Sequence, residues 1–124
     1  MKVVFIYMMC EPQLRERPMA FYELRQYPIH PGKMDEWVAY MEEVIIPFQV
    51  SQGMVITGSY RSEDDATYVW TRRFEDDAEC EALYEKVYKS DAWVNEISKS
   101  IPEMIERAGI NVLRMVATPK SVVQ

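Results

Sequence analysis

The sequence predicts an α+β fold, and its size and the order of its periodic segments are the observations that predict it. Its 124 residues suit one domain with one hydrophobic core. Segments with a period of two alternate with segments of helical period, in the order strand, helix, strand, strand, helix, strand. Two right-handed crossovers in one sheet turn this order into a ferredoxin-like βαββαβ unit, with an antiparallel sheet and both helices on one face.

The first strand and the first helix have the clearest patterns. A strand is predicted from Phe21 to Tyr27, where apolar and aromatic residues are interleaved with Glu, Arg and Gln. A helix follows, because apolar residues recur at steps of three and four between Met34 and Phe48. Pro47 is expected to kink or end this helix, since its ring clashes with the carbonyl of Glu43.

The second half of the chain repeats the scheme with a hairpin, a helical region and a last strand. Met54–Arg61 and Thr67–Phe74 are rich in β-formers and are joined by a short polar turn, which predicts the hairpin. Asp76 or Asp77 caps the next helix, whose apolar stripe reaches Tyr88. A further helical stretch runs from Trp93 to Ile105 with an interruption at Pro102, and the last strand spans Ile110 to Ala117.

The third strand indicates a partner. Tyr68, Trp70, Arg72 and Phe74 alternate there with Thr67, Val69, Thr71 and Arg73. Neither set is typical of a face in water, whereas the two helices cover only one face. We therefore expect a homodimer with twofold symmetry that closes two sheets into a dimeric α/β barrel.

Residues 1–18 differ from the domain predicted over residues 19–124. They combine an apolar run with two prolines, and are interpreted as an N-terminal extension: an extra edge strand, a dimer arm or an upstream start. The run Val3–Cys10 is shorter than the roughly 20 residues of a membrane span, and its flanks lack a secretory cleavage site. A cytoplasmic location is expected.

Charge and motifs exclude several classes of function. With 14 basic and 20 acidic residues, the formal net charge is −6, and the basic residues are scattered, so neither nucleic acid nor a membrane surface is an expected partner. The sequence contains no GxGxxG, P-loop or GxSxG motif, and one histidine gives little support to a metal site. No cofactor is predicted.

Several motifs resemble those of the NIPSNAP family. Tyr22–Tyr27 (YELRQY) and Pro31–Trp37 (PGKMDEW) are similar to the strand and the PGK-led helix that open NIPSNAP domains. Arg73–Asp76 resembles a later strand end of the family, and Leu83-Tyr84 with Val87-Tyr88 matches, more loosely, the aromatic helix that follows. The resemblance covers about residues 20 to 118.

The resemblance implies a fold and a location for a site. NIPSNAP proteins belong with the dimeric α/β-barrel superfamily, which includes cofactor-independent monooxygenases, haem-degrading enzymes and small decarboxylase-like or isomerase-like catalysts. The implied location is the space between the helices and the sheet of each subunit. No catalytic set of the family can be carried over, and a fold alone does not confer an activity.

The candidate catalytic residues are His30 and Tyr27. His30, the only histidine, lies where the first strand meets the first helix and could abstract a proton near neutral pH; a surface-loop role is the alternative. Glu23, Arg25 and Tyr27 share one strand face, so they could converge on a polar ligand or form a buried network that holds the strand register.

Trp70 and Arg72 are the remaining candidates for substrate binding. They share a face of the third strand and could stack on and orient an aromatic carboxylate, although core packing and a cross-strand ion pair explain them as well.

Three functions follow from these residues. The first is a cofactor-independent oxygenase or related small enzyme acting on a hydrophobic metabolite. His30 or Tyr27 would transfer protons and Arg25 or Arg72 would hold an anion, in a closed pocket of some hundreds of Å³. The second is a non-catalytic module that binds a small hydrophobic molecule or a protein. The third is a structural oligomer assembled through residues 1–18.

Overall fold

The computed structural model of the protein describes residues 20–124, so the predicted extension and the predicted domain start at Met19 lie outside the described residues. The strands are β1 (Phe21–Pro28), β2 (Val55–Arg61), β3 (Thr67–Phe74) and β4 (Asn111–Met115). The α-helices are α1 (Met34–Tyr40), α2 (Ile46–Ser51), α3 (Asp77–Tyr88) and α4 (Asp91–Asn95). A π-helical turn spans Met41–Ile45, and 3₁₀ helices span Ile97–Glu103 and Arg107–Gly109.

The four strands form one antiparallel sheet in the order β2-β3-β1-β4. β1 and β3 are the central pair, with Phe21 opposite Phe74 and Pro28 opposite Thr67. This order places each helical crossover between parallel strands that are separated by one neighbour. The predicted α+β class and the antiparallel ferredoxin-like sheet are therefore confirmed, and each strand lies within two residues of its predicted bounds at either end.

Helical backbone continues through Pro47 to Ser51 instead of ending there. The turn directly before the proline is π-helical, and the N–H of Ile46 bonds to the carbonyl of Met41, five residues back. We attribute this widening to Pro47, which has no N–H to offer Glu43 and whose ring would strike that carbonyl in a regular α-helix. The helix ends at Ser51, and the chain turns away two residues later at Gly53, whose positive φ of 112° favours glycine.

The second helical region departs from the prediction after α4. The cap predicted at Asp76 or Asp77 forms at Asp76, whose carboxylate accepts from the N–H of Glu79 at 2.8 Å. The Ser90 hydroxyl caps α4 by accepting from the N–H of Trp93 at 3.1 Å. The helical stretch predicted from Trp93 to Ile105 is α-helical only as far as Asn95. A 3₁₀ helix follows over Ile97–Glu103, with Pro102 inside it.

The two faces of the sheet have different surroundings. On the helix side, Trp70 and Arg72 of β3 are 1% and 0% exposed. On the opposite side, Tyr60 of β2 and Leu113 of β4 are 60% and 55% exposed. Residues 116–124 cross part of this side, where the carbonyl of Gln124 accepts from Arg73 Nε at 2.7 Å. In the described range 20–124, no helix has the length and apolar character needed to cross a membrane.

Candidate functional site

The site is centred on a buried ion cluster that β1 and β3 place between the sheet and the helices. Glu23 lies directly opposite Arg72 in the strand register, and Arg25 follows two residues along β1 on the same face. Arg72 Nη2 donates to Glu23 Oε1 at 2.7 Å, and Arg25 Nη1 lies 3.8 Å from the same oxygen. All three side chains are at most 1% exposed. The predicted common face of Glu23, Arg25 and Tyr27 is thus confirmed.

The helices supply the remaining partners of this cluster. Tyr84 of α3 donates to Glu23 Oε2 at 2.5 Å and accepts from Arg72 Nη2 at 2.9 Å. Arg72 Nη1 reaches both the Tyr88 hydroxyl and Gln49 Oε1 of α2 at 2.8 Å. The cluster joins β1 to β3 through Glu23 and Arg72, as anticipated for a buried network that holds the strand register, and it also ties both strands to α2 and α3.

Burial and charge act in opposite directions on these groups. Burial by itself would raise the pKa of Glu23, but Arg72, Arg25 and the hydrogen bond from Tyr84 outweigh it, so the pKa lies below its ordinary value. Burial raises the pKa of Tyr84 well above its ordinary value, although Arg72 opposes this, so its hydroxyl stays protonated and donates. Glu23 is an anion and Tyr84 is neutral at pH 7.

The cluster carries an excess of positive charge. Within residues 20–124, the fully buried polar side chains are Glu23, Arg25, Gln49 and Arg72. Two guanidinium groups against one carboxylate leave one positive charge in the interior. Such a charge is costly to bury without a compensating anion.

A cavity of about 40 Å³ borders this cluster on the helix side of the sheet. Among residues 20–124, its walls are two arginines, aromatic rings and aliphatic side chains, with no Asp, Glu or His: Arg25, Tyr27, Trp37, Met41, Ile45, Trp70, Tyr88, Trp93, Ile101, Ile105, Arg107 and Ile110. The prediction of a pocket of some hundreds of Å³ is wrong, because these aromatic side chains fill most of the space between the helices and the sheet. Two of the walls, Met41 and Ile45, belong to the π-helical turn.

Several hydrogen-bond donors of the cavity wall have no acceptor among the described residues. Arg25 donates through Nε to the Tyr27 hydroxyl at 2.9 Å and through Nη1 to the Tyr84 hydroxyl at 3.3 Å, but its Nη2 has no partner within residues 20–124. The indole N–H groups of Trp37 and Trp70 are buried and likewise have no acceptor in this part of the chain. A site with this arrangement suits a ligand that accepts hydrogen bonds or carries negative charge.

Arg107 is a second arginine of the cavity wall, and no sequence pattern predicts it there. It is half-buried and forms no ion pair with any residue from 20 to 124. Its position follows from two contacts that the preceding backbone makes with the end of β1. The N–H of Glu106 bonds to the carbonyl of Pro28 at 2.9 Å, and Ile105 forms a β-bridge with Ile29. It is thus attached to the end of β1.

The predicted site residues divide into three groups. Arg25, Tyr27 and Trp70 line the cavity. Glu23 and Arg72 lie behind it in the ion cluster. His30 does not belong to the cavity wall: its Nε2 lies 3.1 Å from the carbonyl of Pro102, and its backbone N–H bonds to Met104. The catalytic and binding roles assigned to these residues stay predictions.

Sequence reasoning missed four cavity residues besides the aliphatic ones, namely Trp37, Tyr88, Trp93 and Arg107. Three of them lie on the apolar stripes of helices, where core packing explains an aromatic residue equally well. For metal ions, the described residues hold no group of three His, Cys, Asp or Glu side chains that could bind one.

Comparison with known proteins identifies the family. The NIPSNAP family model matches residues 22–120. A NIPSNAP family protein of unknown function from Agrobacterium tumefaciens is similar to the chain at a TM-score of 0.77 and 19% identity, over 89% of this chain and 98% of that one. A second NIPSNAP family protein from the same organism has a TM-score of 0.73 and 17% identity, over 89% and 96% of the two chains.

One structural neighbour has a functional name. It is a protein from Nitrosomonas europaea, provisionally named as an antibiotic biosynthesis monooxygenase, with a TM-score of 0.64 and 7% identity over 87% of this chain and 99% of that one. No curated protein matches the chain. Since the family model covers residues 22–120, most of the sequence, the chain belongs to the NIPSNAP family.

Proposed function

We propose that this protein binds a small, largely apolar molecule through an anionic group, in the cavity between its helices and its sheet. The observation that supports this most is Arg25, a buried guanidinium on the wall of an apolar cavity, one of whose nitrogens forms no hydrogen bond with any residue from 20 to 124. A carboxylate or an enolate oxygen next to Arg25 would neutralise the excess charge of the cluster. It would also accept from donors that the described residues leave unpaired.

The volume of the cavity limits which part of the ligand enters. A space of about 40 Å³ holds about three water-sized atoms, enough for an anionic head group. A larger body has to extend through the open side or displace a wall. Met41 is the wall residue best suited to move, because its unbranched thioether adapts easily and it lies in the π-helical turn.

An oxygenase reaction is the catalytic form of this proposal. Arg25 would hold the oxygen of a phenol or enol as an anion, and the carbanion so formed would react with O₂. In such a reaction an activated CH₂ becomes a C=O: one oxygen atom is retained, the other leaves as water with both hydrogens, and the carbon loses the four electrons that O₂ gains. The similarity in fold to the named monooxygenase supports this form.

Tyr27 is the group we place in proton transfer. Its hydroxyl accepts from Arg25 Nε at 2.9 Å and has no acceptor for its own proton within residues 20–124. His30, half-buried at the Pro102 carbonyl, is the alternative base. Oxygen uptake that is lost in Tyr27→Phe and kept in His30→Ala would assign the transfer to Tyr27. Ligand binding without oxygen uptake would instead support a non-catalytic binding module.

The binding test compares charged and neutral ligands of one shape. Benzoate and its amide, together with larger aromatic pairs, are titrated calorimetrically and in thermal unfolding. We expect the acids alone to bind; a ligand at 100 times its Kd adds about 2.7 kcal/mol to the free energy of unfolding. Arg25→Lys should weaken binding, and Arg61→Gln, a change at an exposed surface ion pair, serves as the control. Equal binding of acids and amides would contradict the proposal.

The protein is further proposed to act as a homodimer in the cytoplasm. Val55, Tyr60 and Leu113 expose apolar surface on the side of the sheet away from the helices, and each is at least 50% exposed. A second copy facing this side would cover them. Sedimentation should give a dimer, and Leu113→Glu should give a monomer. If removal of residues 1–18 also dissociated the oligomer, the structural role of that segment would be favoured instead.

A further inference from the structure

The cavity wall holds more positive charge than a ligand with one acidic group would balance. The ion cluster contributes one excess positive charge, and Arg107 contributes a second. No carboxylate belongs to the described wall. Glu106, next to Arg107 in the chain, directs its Oε2 to the N–H of Ala108 at 3.3 Å.

The two arginines of the cavity wall differ in burial. Arg25 is 1% exposed and belongs to the ion cluster, whereas Arg107 is only half-buried. The backbone next to Arg107 is attached to the end of β1 through the bond from Glu106 to Pro28, and Ile105 and Ile110 on either side of Arg107 in the sequence also line the cavity. Arg107 is therefore the wall arginine that is more accessible to water.

We propose that the ligand of this site is a dianion, with one acidic group at Arg25 and a second acidic group, at the other end of an apolar body, at Arg107. This inference rests on the proposed function and specifies the class of molecule. Arg107 is then the residue that selects dianions over monoanions. Because it is partly exposed to water, its contribution is moderate, about fivefold in Kd.

The test uses ligands that differ in one charge. Benzoate, terephthalate and the monoamide of terephthalate form one set. Hexanoate with adipate, octanoate with suberate and decanoate with sebacate form a second set that varies the distance between the two acids. Wild-type protein should bind at least one diacid about fivefold more tightly than its matched monoacid. Arg107→Gln should remove this preference and leave the affinity for the monoacid within about twofold, whereas Arg107→Lys should keep part of it.

The outcomes separate this inference from the proposal on which it rests. Equal affinity of wild-type protein for monoacids and diacids, or a preference that persists in Arg107→Gln, would overturn the role of Arg107 while Arg25 binding stands. Failure of every acid to bind would overturn both. Arg61→Gln, which removes an exposed arginine elsewhere, should leave the preference unchanged and shows that net charge alone does not cause it.

Discussion

Replacing Glu23 by glutamine should destabilise the domain strongly. Glu23 is 0% exposed and is the only fully buried acid in the described range, so the substitution leaves Arg25 and Arg72 without a counter-charge. Breaking a buried ion pair by removing one partner costs about 3–5 kcal/mol. This is a large part of the 5–15 kcal/mol that typically stabilises a domain, and with a urea m-value of about 2 kcal/mol/M it lowers the midpoint by about 1.5–2.5 M.

The same variant should change the dependence of stability on pH. Since the pKa of Glu23 in the folded protein lies below its ordinary value of 4.5, the carboxylate contributes stability that is fully present above that value. The contribution is lost as the pH falls towards the lowered pKa. The difference in free energy of unfolding between wild type and Glu23→Gln should therefore be constant near pH 7 and shrink below about pH 4.5.

Urea unfolding followed by circular dichroism from pH 3 to pH 7 measures both effects. Glu85→Gln is the matched control, because Glu85 forms an exposed ion pair with Lys89 at 3.3 Å and should change stability by less than about 0.5 kcal/mol. If Glu23→Gln unfolds within 1 kcal/mol of wild type, or if its effect does not depend on pH, the assignment of Glu23 as the essential counter-charge is wrong.

Three further predictions concern the backbone and one phenol. Gly53→Ala should cost about 1–2 kcal/mol in urea unfolding, because φ is 112° and a Cβ would meet Leu83 at 3.2 Å; Gly32→Ala, with no atom within 4 Å of its Cβ, should cost less, and the reverse order would contradict this. Burial raises the pKa of Tyr68 to about 12, so stability should be fully present below pH 10 and lost as the pH approaches 12; Tyr68→Phe should flatten that slope, and ultraviolet titration checks it. Pro47→Ala should convert the π-helical turn to α-helix, visible in Cα chemical shifts; an unchanged turn would show that the proline is not its cause.

Most of the fold could be predicted from local patterns. The hairpin of β2 and β3, the cap at Asp76, and the common face of Glu23 and Arg25 follow from periods and residue types that act over a few positions. The 3₁₀ helix over Ile97–Glu103 could not, because its apolar spacing is the same as that of an α-helix and only packing distinguishes the two.

The candidate site was only partly accessible to prediction. Strand alternation predicts that Arg25 and Tyr27 share one face of β1 and that Trp70 and Arg72 share one face of β3. It does not predict which residues pack against those faces. The prediction that His30 lies at the pocket depends on its position in the chain alone. In the structure its ring lies at the Pro102 carbonyl instead. Arg107 begins a 3₁₀ helix of three residues, too short to show periodicity, so no local pattern predicts its place in the wall.

The sequence by itself determined the α+β class, the order of the elements and the common strand face of Glu23 and Arg25, because each depends on neighbours in the chain. Only the tertiary structure decided that this charge is buried, that Tyr84 and Gln49 complete the cluster, and that a small cavity remains beside Arg25. These features depend on residues far apart in sequence, such as Glu23 and Tyr84, that meet when helices pack on the sheet. The sizes of the side chains then decide how much space is left.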